Sequence, residues 1–229
     1  VVWVGVRSSN VLWGASLRGP FLCGVAHWCY PLPVMDHASR YVLGCHVVRN
    51  TRGLPARAVF ERLFLEYGLP ERMRTDNGVP FASLGTGGLS RLSIWWIRLG
   101  IVPERITPGR PQQNGRHERM HRTLKRAVVQ PPAPNLRAQQ RRFDVFCRHY
   151  NNERPHEALE QRTPASLYTV SPRPYSKHLP ELAYPSYMQS HRVSHNGLIY
   201  WNAWRSYIGY LLAGAEIGMY PFRDGLLEV

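Results

Sequence analysis

The run Pro111-Gln112-Gln113-Asn114-Gly115-Arg116-His117-Glu118-Arg119-Met120-His121-Arg122-Thr123-Leu124-Lys125 joins a turn-forming start to a helical, densely cationic continuation. The pattern predicts a helix over roughly Gln113 to Val129, closed by Gln130-Pro131-Pro132-Ala133-Pro134, because proline lacks the amide donor and clashes with the preceding turn. Thr107-Pro108-Gly109-Arg110-Pro111 is a turn-rich approach to it. Between Glu104 and Arg142 there are ten Lys and Arg against two acids, where the chain's average density gives about five cations. Placed on helices, these make a cationic surface of the kind that holds a phosphate backbone. Glu118 either neutralises its neighbours Arg116, Arg119 and Arg122 or ligates a divalent ion beside them. Lys125 lies two turns further along the same face.

Outward from this helix the chain alternates strands and helices. Cys29 to Val48 reads as two strands, or one long bent one, broken at Asp36-His37-Ala38-Ser39-Arg40. Ala58, Phe60, Leu63, Phe64 and Tyr67 recur at helical spacing, with Pro55 suited to the first turn and Gly68 just past the end. A short strand, Arg72 to Thr75, then ends in Asp76-Asn77-Gly78; strand, helix, strand predicts a parallel crossover. By itself Asp76 is an ordinary turn residue or a ligand at a strand end. Leu84 to Gly88 is a plain glycine-rich loop without the Lys-Ser/Thr of a phosphate loop. Leu89 to Leu99 is an apolar helix that assigns Trp95 and Trp96 to the core, and Ile101-Val102-Pro103 is a strand-like piece. Asn135 caps a fourth helix to about Tyr150. The expected division is a core with trailing helices over 1–170, a proline-rich linker over 171–186 and a small β-rich unit over 187–229.

Composition sets bounds on function. The 229 residues carry 29 Lys and Arg against 15 Asp and Glu, a net charge of +14, with 44% hydrophobic residues. This is no disordered tail, and it requires an anionic partner. The long uncharged stretch Gly19 to Met35 is broken by three prolines and cannot span a membrane as a helix. No signal-peptide pattern opens the sequence, so a cytoplasmic location is expected. Cys23, Cys29, Cys45 and Cys147 lack disulfide-scaffold or zinc spacing and read as reduced, buried thiols.

Three motifs together resemble bacterial insertion-sequence transposases with a retroviral-integrase-type core: Thr75-Asp76-Asn77-Gly78, the run from Pro111 to Lys125, and Tyr150-Asn151-Asn152-Glu153-Arg154-Pro155-His156. The resemblance runs from about Asn10 to the end. It implies an α/β, ribonuclease-H-like integrase core, a mixed sheet flanked by helices, followed by a small and incomplete all-β barrel. It also implies a DDE site in which two Asp and one Glu hold Mg²⁺ or Mn²⁺ for phosphodiester cleavage and strand transfer. On that resemblance Asp76 is the second aspartate, Glu118 the glutamate and Lys125 the DNA-contacting lysine, with Asn114, Arg110, Arg116, Arg119 and Arg122 beside the DNA. DNA is the implied partner, and a homo-oligomer the implied assembly.

The first aspartate is missing. In the family it belongs to a Trp-x-x-Asp run, and here Trp13-Gly14-Ala15-Ser16 places Ser16 where the carboxylate belongs. A neutral hydroxyl weakens a two-metal clamp, so impaired strand transfer is expected, with Asp76 and Glu118 left as metal ligands. Asp36 is the one acid before Glu61 and is expected to pair with Arg40 or brace a turn rather than substitute. The chain also begins close to the first core strand and stops in Leu226-Leu227-Glu228-Val229, which reads as a decayed or truncated copy. The alternative expectation is a non-catalytic DNA-binding protein that assembles with an intact transposase.

Overall fold

The computed structural model describes residues 8–17, 19–24, 27–83, 88–107, 114–179, 183–201, 204–223 and 226–228, the side chains of the last segment and of residues 222–223 excepted. A mixed sheet forms its centre. Strand β1 (Leu12–Ala15) pairs in parallel with β5 (Arg72–Thr75), and β5 in parallel with β6 (Val102–Arg105). On the other side β1 is antiparallel to the end of β3 (His27–Asp36), while β2 (Phe21–Cys23) is antiparallel to its start. β4 (Val42–Val48) returns antiparallel along β3, so the sequence break at Asp36 to Arg40 is the turn between two strands. Strands β4 and β5 therefore run in the same sense, and helix α1 (Gly53–Tyr67) carries the chain between them across β3 and β1. The expected parallel crossover is present, with β5 seated beside β1 rather than beside the strand that precedes the helix.

Helices cover both faces. On one, α1 buries Ala56, Phe60, Leu63 and Phe64, and α2 (Arg91–Arg98) buries Leu92, Trp95 and Trp96. The two tryptophans are 4% and 0% exposed and pack with Phe60, Phe64 and Phe81, as core residues should. Ser90 starts α2 with a capping box, its hydroxyl accepting from Ser93 N while Ser93 Oγ accepts from Ser90 N. On the opposite face α3 (Gly115–Val128) and α4 (Leu136–Asn152) close over Met35, Val42, Cys45, Met120, Leu124, Phe143 and Phe146. Asn135 caps α4 by accepting from Ala138 N at 2.9 Å. All four cysteines are free, and Cys23, Cys29 and Cys45 are buried in this second cluster.

The outer edge of β4 is closed by amides of α4. Asn151 accepts from Val42 N (2.8 Å) and donates to Val42 O (2.9 Å); Gln140 accepts from Val47 N (2.8 Å) and donates to Cys45 O (2.9 Å). These side chains supply the pairing that a further strand would give, which fixes the role of Asn151 in the Tyr150-to-His156 motif.

The proline-rich segment differs from a free linker over its first half. Ser171 N donates to Tyr67 O and its hydroxyl to Leu69 O, while Leu69 N donates to Arg173 O. The Arg173 guanidinium donates to the carbonyls of Pro70, Leu99 and Gly100, tying together the chain ends that follow α1 and α2. Gly68, at φ 74°, makes room for this strap; a Cβ there would lie 2.8 Å from Arg173 O. Tyr175 packs on Phe64 and Trp95. Prolines here hold an extended strap against the core.

Beyond it, β7 (Gln189–Arg192), β10 (Glu216–Arg223) and β11 (Leu226–Glu228) form a three-stranded antiparallel sheet, and β8 (Leu198–Trp201) with β9 (Trp204–Tyr207) a separate hairpin. Val193, Ile199, Ile217 and Met219 make a small core. The described strands form a three-stranded sheet and a hairpin, every residue of β9 being exposed, and a closed barrel is not among them. No helix among the described residues is long and apolar enough to cross a membrane.

Candidate active site and nucleic-acid interface

The register of the central strands brings the site together. Ala15 faces Thr75 across the parallel β1–β5 pair, so Ser16 and Asp76, the next residue on each chain, leave the sheet side by side at its C-terminal end. Asp76 is 7% exposed and its Oδ1 accepts from Gly78 N at 3.0 Å, an Asx turn that aims the strand end. Glu118 stands in the first turn of α3, on the surface side of a stripe formed by the buried His117, Met120 and Leu124.

His117 belongs to the site and carries no role in the motif reading of the sequence. Its place in the sequence, between Arg116 and Glu118, suggests the charged surface, yet it is 1% exposed and shares a 2.9 Å hydrogen bond from Nε2 to the hydroxyl of Ser16, itself 3% exposed. Gly14 makes this possible: a Cβ at that position would collide with the His37 ring and reach 3.4 Å from His117 Nδ1. Two imidazoles thus pack against β1 beside Ser16. Burial, followed by the charges of His117, Arg74, Arg116 and Arg40, holds His37 well below its usual range, so it is neutral at pH 7. Arg74, in the adjacent strand, pairs with Glu104 at 2.8 Å, and Arg72 with the other Glu104 oxygen at 2.9 Å.

Asp36 is excluded as a stand-in by register. It faces Trp13, three residues before the level of Ser16, or roughly 10 Å along the strand. Both of its oxygens are occupied: Oδ1 accepts from Asn10 N, and Oδ2 from Ser39 N and Ser39 Oγ. Burial raises its pKa against these donors. It braces the β3–β4 turn and makes no ion pair with Arg40 within salt-bridge distance.

The donors present do not make a three-carboxylate metal site. Position 16 offers a hydroxyl already bonded to an imidazole, and no group of three or more His, Cys, Asp or Glu among the described residues is arranged to hold an ion. Two carboxylates, Asp76 and Glu118, remain.

The cationic surface is in place on the helices. Arg119, Arg122, Lys125 and Arg126 of α3 and Arg137, Arg141 and Arg142 of α4 are exposed. Arg116 turns inward and donates to His37 O at 2.8 Å. Asn114, the N-cap of α3, is 3% exposed. Arg110 lies outside the described residues, as do Leu84 to Gly87 of the glycine-rich loop.

Residues 99–164 match the family described as Integrase core domain, a span that includes Glu118 and excludes Ser16 and Asp76. The chain is 33% identical over 104 residues to the Gag-Pol polyprotein of Baboon endogenous virus (strain M7), covering 45% of this chain and 6% of that polyprotein. It is equally identical over 104 residues to the Pol polyprotein of Feline endogenous virus ECE1, covering 45% of this chain and 9% of that one. The chain thus spans a small fraction of the curated relatives it matches. Among solved structures it resembles the HTLV-2 integrase catalytic core domain in complex with magnesium, at a TM-score of 0.53 and 14% identity, over 72% of this chain and 100% of that one. It also resembles a chain of the simian T-cell lymphotropic virus intasome in complex with PP2A regulatory subunit B56 gamma, at 0.59 and 18% identity, over 97% and 77%. The fold is that of an integrase-type, ribonuclease-H-like core.

Proposed function

We propose that this chain is a DNA integration or transposition protein of the integrase/transposase type whose strand transfer is impaired because Ser16 stands at the first carboxylate position. The observation that carries the impairment is the buried Ser16–His117 hydrogen bond level with Asp76. Asp76 and Glu118 are the carboxylates left to hold Mg²⁺ or Mn²⁺, and a set one carboxylate short supports no two-ion clamp on attacking and leaving oxygens. DNA binding rests on the exposed Arg119, Arg122 and Lys125 face of α3, continued by Arg137, Arg141 and Arg142 of α4. The same observation favours the second reading, a non-catalytic DNA-binding protein that acts within an assembly containing an intact copy. An insertion-sequence origin, a cytoplasmic location, a homo-oligomeric state and the division of the chain at 170 and 186 belong to this proposal.

The test is cleavage and strand transfer on nicked and intact duplex DNA with Mg²⁺ and with Mn²⁺, for the unmodified protein and for Ser16→Asp. The expected result is DNA binding by both and turnover by neither or by Ser16→Asp alone. Robust cleavage by the unmodified chain overturns the proposal.

A further inference from the structure

The turn that Asp36 braces carries a second cluster of cations. Arg40, at its end, is held at φ 65°, a left-handed conformation that costs a non-glycine residue energy and persists where the surroundings enforce it. Its Nε is buried with no hydrogen-bond partner among the described residues. Arg40, Arg116 and Arg162 line one polar cleft of about 520 Å³, together with Ser8, Ser39 and Thr169. Two acids face this cluster. Glu160 pairs with Arg162 at 3.3 Å from a side chain that is 87% exposed, and Asp36 is fully buried with both oxygens committed to Asn10 and Ser39. Burial first, and then the charges of Arg116 and Arg119, lower the Arg40 pKa to about 10.

We propose that this cleft is an anion site for a phosphate group, with Arg40 and Arg162 as ligands alongside Arg116. Three arginines that converge on one exposed acid, with Asp36 committed elsewhere and a buried unpaired donor on Arg40, fit the planar, multi-oxygen acceptor that phosphate presents. The cleft adjoins the Asp36 end of the β1–β3 pair, roughly 10 Å along the sheet from the Ser16 level, the rise of about three nucleotides in duplex DNA. A backbone phosphate of bound DNA and a free phosphate share this chemistry. The DNA arm rests on the proposed DNA-binding role, and Arg116 connects the two, since it lies two residues before Glu118.

Two measurements on the full chain test the site. The first is the melting temperature in sodium phosphate against sodium chloride at equal ionic strength. The second is the affinity for a labelled 20-base-pair duplex by fluorescence anisotropy between 50 and 200 mM KCl. The variants are Arg40→Gln, Arg40→Lys and Arg162→Gln; the Arg162 side chain is 54% exposed, so its replacement leaves folding intact. Phosphate should raise the melting temperature of the unmodified protein, and Arg162→Gln and Arg40→Gln should weaken that effect at least about five-fold, with Arg40→Lys intermediate. If DNA supplies the phosphate, each Gln variant also makes the slope of log K against log salt shallower by about 0.9. Loss of the phosphate effect with an unchanged slope assigns the cleft to free phosphate. Unchanged phosphate stabilisation and unchanged slope in both Gln variants overturn the site. The DNA-binding reading fails separately, when Arg122→Gln and Lys125→Gln leave the slope unaltered.

Discussion

Replacing Ser16 by Asp should convert a fold that holds magnesium weakly, through Asp76 and Glu118 alone, into one that magnesium stabilises measurably. Position 16 is 3% exposed and level with Asp76, so the new carboxylate is placed beside an existing one with little water between them. Without metal, that burial costs about 1–3 kcal/mol, offset in part by pairing with His117. With magnesium at ten times its dissociation constant, binding to the folded state alone returns RT ln 11, about 1.4 kcal/mol. At about 2–4 °C per kcal/mol for a chain of this size, the melting temperature of Ser16→Asp should rise by about 3–6 °C on adding MgCl₂ at constant ionic strength. The unmodified protein, whose position 16 hydroxyl is bonded to His117, should move by less than about 1 °C under the same conditions. Ser16→Asn is the control, matching Asp in shape without the charge, and it should follow the unmodified protein. Differential scanning fluorimetry at pH 7.5 with KCl-balanced buffers is sufficient. An equal magnesium shift in the unmodified chain and in Ser16→Asp would refute the reasoning, since position 16 would then not be the missing ligand.

Three further outcomes are expected. Removing two contacts with Arg122→Gln/Lys125→Gln should make the salt slope of DNA binding shallower by about 1.8, read by anisotropy from 50 to 200 mM KCl. Burial, with the Arg62 charge beside it, holds His46 down to about 3; the unfolded chain therefore takes up this proton first, and the contribution is present above pH 6.5 and lost as pH falls toward 3. The unfolding free energy from urea titrations should accordingly drop between pH 7 and 4.5, by about 2–3 kcal/mol from this group, and His46→Gln should flatten the profile. Asn151→Ala leaves the Val42 amide and carbonyl without partners and should cost about 1–3 kcal/mol in chemical denaturation, with faster hydrogen exchange at Val42.

Local signals in the sequence were sufficient for most of the core. The strand Arg72 to Thr75 is found at those bounds, Gly68 ends α1 and Asn135 caps α4, because each depends on neighbours a few residues away. The burial of His117 has a local signal, since it shares the spacing of Met120 and Leu124, the buried stripe of α3, but its neighbours Arg116, Glu118 and Arg119 mask that signal. Its partner Ser16 lies 101 residues earlier, and no local pattern joins them. The docked strap was illegible for a related reason. Proline content reports an extended backbone, whereas what Arg173 binds is a set of carbonyls released where two chain segments leave their helices. Arg40 and Arg162 are likewise brought together only by the tertiary fold.

The amide bracket on β4 constrains how copies of this chain can join. A sheet edge satisfied by Asn151 and Gln140 has no ladder left to offer at Val42, Cys45 or Val47. Any assembly that continues the central sheet from one subunit into the next must pass through β6 or the three-residue β2. Extension by strand addition is therefore one-sided, and an assembly built on the β4 side has to be made by helices.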